Sequence, residues 1–388
     1  LGDNSRIYFK GLDTLRAIGA LSVVFGHIEL SKRSLGFSNI SHLSFYKHTS
    51  GHLGVMLFFV LSGFLITYLL LKESESYKTI FVKQFYIRRA LRIWPIYYLM
   101  VLFLVFLLPR LVNIDYYAKP DLGNWSVLIP TISIYLLLIP NFAVFDIKGL
   151  GGGFHLGSIG IEEQFYIIWP WIVKWFRGNK ILIPLIFIVI SIPLVPHILD
   201  YLSLHYFESH QSGYHLLKRL GAFFSYFKIN CMALGGLTAW VYHTNKESIL
   251  NILYSKFIQI SALVVCFGGW LIGFHLPYFT DEFYSILFAV IILNTATNPN
   301  KLLTFDYKIT NYLGKVSYGI YVYHWAVIYI VIDSIVPLNT SSFIFNLLLY
   351  VGSFTLTILI AHFSYFYFEH WFLQFKEKFA KVKSYTDL

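Results

Sequence analysis

The chain has 388 residues, of which 57% are hydrophobic, 19% aromatic and 13% charged, against roughly 25% charged in ordinary soluble domains. That balance excludes a water-soluble globule, and with it the disordered, collagen-like and disulfide-framework classes. The 30 Lys and Arg against 20 Asp and Glu give a formal charge of +10, an excess that an apolar chain carries in loops retained in the cytoplasm and that implies no nucleic acid.

About 20 apolar residues cross a bilayer as a helix. Taken in chain order, apolar runs fall near residues 12 to 30, 53 to 71, 93 to 109, 127 to 145, 158 to 176, 181 to 199, 222 to 242, 257 to 276, 283 to 297, 313 to 337 and 342 to 368. The first run is long enough to cross and stay, so no cleavable signal is expected. The run near 127–145 is interrupted by Pro130 and Pro140, which break the backbone ladder, and it is expected to be re-entrant or partial.

Charge placement supports that choice. The link after the second run holds Lys72, Lys78, Lys83, Arg88, Arg89 and Arg92, and links rich in Lys and Arg stay cytoplasmic. With 127–145 partial, Lys174, Arg177, Lys180, Lys246, Lys256, Lys301, Lys308 and the Lys-rich tail fall on the same side, and Asp281, Glu282 and Asp333 on the other. The expected fold is therefore all-α: a polytopic membrane helix bundle of about ten transmembrane helices, with both termini cytoplasmic. Lys32, Arg33 and Lys47 in the first outer loop run against this rule. The polar stretch from about 200 to 220 is expected to form an extracytoplasmic cap, and residues 371–388 a basic cytoplasmic tail. The two cysteines, Cys231 and Cys266, lie in apolar segments without metal or redox spacing.

Ionisable groups inside membrane helices cost several kcal/mol each and mark function by default. Arg16 and His27 are eleven positions apart in the first run, so they share one helix face with Asp13, separated by about 17 Å along the axis. Asp13 with Arg16 also reads as an interfacial i, i+3 pair. A neutral imidazole suits a general base that takes a proton from a hydroxyl. In FYIRRALRIWP, Arg88, Arg89 and Arg92 share one helical surface; they read either as cytoplasmic anchors or as a cradle for phosphate, which the planar guanidinium fork binds in bidentate fashion. Glu162 and Glu163 open an apolar helix after a glycine-rich turn, where one acid serves a helix N-terminus and two exceed that need. In the ten-crossing arrangement Glu162 and His27 are expected at similar depth. His324 lies near the middle of its run. No HExxH, GxSxG, Walker loop or GxGxxG occurs, so zinc peptidase, serine hydrolase and nucleotide-binding readings have no support, and no metal is expected.

Five blocks, GLDTLRAIGALSVVFGH at 11–27, GVMLFFVLSGFLI at 54–66, FYIRRALRIWPIYYL at 85–99, GSIGIEEQFY at 157–166 and GKVSYGIYVYHW at 314–325, together resemble the acyltransferase-3 family of bacterial membrane O-acyltransferases, in that family's order. The resemblance covers residues 1–370. It implies transfer of an acyl group, most often acetyl, from cytoplasmic acyl-CoA to a hydroxyl of an extracytoplasmic glycan or lipid-linked saccharide, in the bacterial inner membrane among its lipids. It places a catalytic base on His27, its arginine on Arg16, an RxxR motif on Arg89 and Arg92, and an acidic position on Glu162. Arg88 joins the acyl-CoA group, and Asp13, Ser158, Glu163, Tyr318 and His324 are the candidates for substrate contact. Gly157, Ser158 and Ile159 stand where the family often has Trp-Ser-Leu, and Trp371 where a proline often follows the last glutamate. Some relatives carry a fused hydrolase-like domain; with so little chain after the last run, none is expected here. Histidine can also act as a nucleophile, which leaves an acyl-histidine relay as a variant. The competing class is a polytopic transporter or flippase for lipid-linked saccharide, against which stands the lack of an internal repeat.

Overall fold

The computed structural model describes residues 7–47, 51–113 and 124–382, and no strand occurs among them. The helices that build the bundle are α1 (Leu12–Ser34), α2 (His52–Tyr77), α3 (Val82–Leu102), α4 (Trp125–Leu136), α5 (Leu156–Trp175), α6 (Leu182–Tyr206), α7 (Ser212–Tyr226) and α8 (Ile229–His243). They continue with α9 (Glu247–Leu253), α10 (Lys256–Ile272), α11 (Thr280–Thr297), α12 (Lys308–Lys315), α13 (Ser317–Ile335), α14 (Ser342–Phe363) and α15 (His370–Glu377). A π turn at Phe103–Leu107 carries α3 on to Leu111, and another at Ser364–Glu369 joins α14 to α15.

Among the described residues, six helical stretches are long and apolar enough to cross a membrane: His52–Tyr77, Val82–Leu111, Gly178–Tyr206, Ser212–His243, Ser317–Leu338 and Ser342–Glu377. The bent pair α9 and α10, at 53°, makes a seventh if it is one span. The chain is thus a multi-pass membrane protein, with six or seven of the ten expected crossings met by length and composition. Helices α1, α5 and α11 are of sufficient length but carry charged and amide side chains that lower their hydropathy. Helix α4 has 12 residues, about 18 Å of rise, against a hydrocarbon core of about 30 Å; the two prolines leave a partial segment, followed by a tight turn at Pro140–Phe145.

Two expectations are corrected. Residues 200–220 are no long polar loop: α6 runs to Tyr206 and α7 starts at Ser212, because apolar residues recur between the histidines and lysines. Lys32 is no free loop charge, since it lies within α1 with its ammonium 2.5 Å from the buried Glu29 carboxylate. The pair is close to neutral as a unit, so Lys32 does not weigh against the orientation.

Glycines set the closest contacts. A Cβ on Gly63 of α2 would run into the carbonyl of Met232 on α8, and one on Gly235 into that of Val60, so these backbones touch as membrane helices do at small residues. Helix α1 packs on α2, α12, α13 and α14. Gly54 of α2 lies against Gly19 of α1 and Gly51 against Gly26, so the two helices are antiparallel. Beyond residue 370 the chain continues as helix: α15 packs on α3, and Lys376 is buried.

Candidate active site

Helix α1 presents Arg16 to a cavity of about 980 Å³, its open mouth included, that is walled by α1, α2, α3, α5, α13 and α15. Asp13 holds the guanidinium at 2.5 Å, an i, i+3 contact that orients the charge across the first turn. Arg89 and Arg92 reach the same space from α3, and Lys376 from α15. Arg89 lies over the rings of Phe85 and Tyr166, 5.7 Å from each centroid, within cation–π range. On α5 the residues Ser158, Glu162 and Tyr166 recur every four positions and all face the cavity, as one helix stripe must. Glu162 accepts from the Ser62 hydroxyl at 2.8 Å, and it is the one carboxylate among the lining residues. The lining residues thus include four cations and one carboxylate, with the Arg16 charge balanced by Asp13.

Arg88 does not join its neighbours in this chamber. Its guanidinium donates to the Phe379 carbonyl at 2.8 Å and lies 3.4 Å from the Glu73 carboxylate, tying α3 to the end of α2 and to the segment after α15. Glu163, one position from Glu162 and so about 100° around α5, takes the indole N–H of Trp94 at 3.0 Å instead of lining the cavity. Tyr318 does line it, with its hydroxyl donating to the Ile93 carbonyl at 3.0 Å.

His27 sits beyond the chamber's lining in a second cluster. Its Nδ1 lies 2.7 Å from Nε2 of His324, whose Nδ1 lies 2.6 Å from the Tyr321 carbonyl. A carbonyl only accepts, so His324 Nδ1 carries hydrogen. With both rings neutral, His324 Nε2 then accepts, His27 Nδ1 donates, and His27 Nε2 keeps a bare lone pair. Trp325 packs on the His27 ring at 4.1 Å between centroids, and His155 lies 4.8 Å from the His324 ring. His324 is fully buried, whereas His27 is half-buried.

Tyr321 links the two regions. Its ring lines the cavity, its hydroxyl pairs with Ser158 at 2.5 Å and donates to the His155 carbonyl at 2.9 Å, and its own carbonyl holds His324. The depth expected of Glu162 is corrected here. The His155 ring lies 4.8 Å from that of His324, and Glu162 stands seven residues further along the chain in α5, so the acid is about 10 Å deeper than the histidine cluster. Glu162 lines the same chamber as Arg16, because α5 meets Tyr321 at Ser158 and reaches the acid one turn further on.

Sequence reasoning passed over His155, Ser62, Tyr166, Tyr321 and Lys376. His155 had a usable signal, an imidazole within an apolar glycine-rich turn. Lys376 had none, since a lysine in a basic tail looks like any other.

A family model described as an acyltransferase domain matches residues 9–362. The peptidoglycan O-acetyltransferase OatA of Listeria monocytogenes is 29% identical over 343 residues, covering 84% of this chain and 50% of that protein. The O-acetyltransferase OatA of Staphylococcus aureus is 26% identical over 388 residues, covering 93% of this chain and 57% of that protein. The chain thus spans little more than half the length of these curated relatives. No solved structure matches it.

Proposed function

The chain belongs to the acyltransferase-3 family, and on that premise we propose that it is a membrane O-acyltransferase that moves an acetyl group from acetyl-CoA to a hydroxyl of an extracytoplasmic glycan. The observation that carries this reading is the cavity that gathers Arg16, Arg89, Arg92 and Lys376 around Glu162. Guanidinium groups in a partly enclosed chamber suit the phosphates of CoA, and the lysines at 72, 78 and 83 support a cytoplasmic side for that end of the bundle. On the expected ten crossings, both termini would then lie there and the His27 end outside.

In this reading the phosphates dock on Arg89, Arg92 and Lys376, and the pantetheine arm runs past Glu162 towards Tyr321. The acceptor oxygen attacks the thioester carbonyl carbon while His27 Nε2 takes its proton; a C–O bond forms, the C–S bond breaks, and the departing thiolate recovers a proton from the imidazolium. His324 keeps the imidazole in the tautomer this step needs. Because the Tyr321 hydroxyl is paired with Ser158 on the line of approach, the thioester reaches His27 only when that pair parts. Peptidoglycan, which the Listeria relative is named for, is the acceptor class proposed first.

Purified protein in nanodiscs given acetyl-CoA labelled in its acetyl group tests the reading. Label on an oligosaccharide acceptor, lost in His27→Ala, supports it. Saccharide movement across a proteoliposome without acyl incorporation would instead mark a transporter or flippase.

A further inference from the structure

A second cleft lies at the opposite end of the bundle from the arginines. It is about 530 Å³, its mouth included, and is walled by the loop that follows α1 and by the turn between α13 and α14. The N-terminal ends of α1 and α13 hold Arg16 and Tyr318, so their C-terminal ends open on the other face.

The chemistry of its walls is specific. Phe37 and Phe345 form an aromatic pair, with centroids 4.7 Å apart. Around them stand Asn339, Thr340 and Asn346, and no charged residue contributes to the lining. The amide nitrogen of Asn346 donates to the Ser342 carbonyl at 2.7 Å, which leaves its oxygen without a partner, as is the hydroxyl of Thr340. Helix α14 does not need them for its start, because Ser341 accepts from the Ile344 amide. Unpaired polar atoms in a concave wall call for a ligand or water. A wall with no net charge disfavours phosphate and carboxylate ligands and cations alike, while an aromatic face beside amide and hydroxyl groups suits a ring that is apolar on its C–H face and hydroxylated at its edge.

We propose that this cleft is an acceptor subsite that holds a neutral sugar unit of a glycan chain, remote from the unit that is acylated. The inference rests on the O-acyltransferase reading for the role of the sugar, and on the cleft alone for its binding. His324 and Ile335 are eleven residues apart on α13, about 17 Å, and His27 lies about 10 Å below the end of α1 at Ser34. A ligand that touches both places is therefore an oligosaccharide.

The test uses the full chain in nanodiscs and the tetrasaccharide of N-acetylglucosamine as probe, with binding followed by calorimetry and acetyl transfer followed in parallel. Asn346→Ala and Phe345→Ala are expected to weaken binding about five- to ten-fold, the scale of one lost polar or packing contact, and to raise KM for the acceptor without lowering kcat. Thr340→Val keeps the volume and is the second variant should either of the others fail to fold. Equal binding by the unaltered protein and the cleft variants, or none by the unaltered protein, overturns the subsite even where acetyl transfer proceeds. Binding weakened by the cleft variants, in a protein that transfers no acetyl group to any acceptor, keeps the subsite and removes the O-acyltransferase reading.

Discussion

The imidazoles of His27 and His324 face one another at 2.7 Å, and the second ring is anchored to the chain by the carbonyl of Tyr321. Two residues 297 positions apart thereby set where a single hydrogen resides. With both rings neutral, the half-buried His27 is left with its lone pair on Nε2, which is the state a proton acceptor requires.

Replacing His27 by Ala is expected to lower kcat for acetyl transfer by about 10²- to 10⁴-fold, the usual loss of a general base, with the KM for acetyl-CoA little changed because His27 does not line the cationic chamber. Steady-state kinetics on the purified variant measure both.

His324→Ala should also lower kcat, by less than His27→Ala, since the base remains but its tautomer is no longer held. His324→Gln retains a carbonyl oxygen able to accept from His27 and should recover part of the rate. Equal rates for the two variants would assign His324 to packing.

Arg88 and Arg89 should separate cleanly. Arg89→Gln is expected to raise the KM for acetyl-CoA with the melting temperature nearly unchanged. Arg88→Gln should leave that KM alone and destabilise the protein by about 3 kcal/mol, because Glu73 is left as a buried charge without its cation. Thermal melting in detergent beside the kinetics distinguishes the two.

Gly63→Ala puts a methyl group on the Met232 carbonyl and must push α2 from α8. A cost of about 1–3 kcal/mol is expected, as for other overpacked sites, and is read as an earlier thermal transition of the purified protein.

Tyr321→Ala removes the ring that stands between the chamber and the histidines. Acetyl-CoA breakdown without acceptor, followed as free thiol, should rise several-fold, since water can then reach a thioester beside His27. An unchanged rate would mean that Tyr321 is no barrier.

Much of the bundle was legible because an apolar run of spanning length has few alternatives to a helix. The runs at 12–30, 53–71 and 342–368 lie within α1, α2 and the α14 stretch. What the runs concealed were breaks inside them: 222–242 divides at Phe227 and Lys228 between α7 and α8, and 313–337 at Val316 between α12 and α13. In the site, Arg16, Arg89, Arg92 and Glu162 were found by the cost of burying charge, and the structure gathers all four. The same argument could not sort Arg88 from Arg89. Both are buried to some degree, and only the partner, Glu73 for one and the chamber for the other, tells them apart. Nor could it set depth, since the level of Glu162 depends on how α5 leans on α2. The pairing of His27 with His324 was out of reach for a simpler reason: no local pattern connects residues on helices at opposite ends of the chain.

The Ser158–Tyr321 contact has a bearing on the cell as well as on the reaction. An enzyme of the kind proposed, with one reactant from each compartment, is in danger of becoming a leak, and an energised membrane does not tolerate a standing hole for protons. On the proposed function, a hydroxyl pair between the chamber and the histidines is the place where such a passage would be kept shut between turnovers and the voltage preserved.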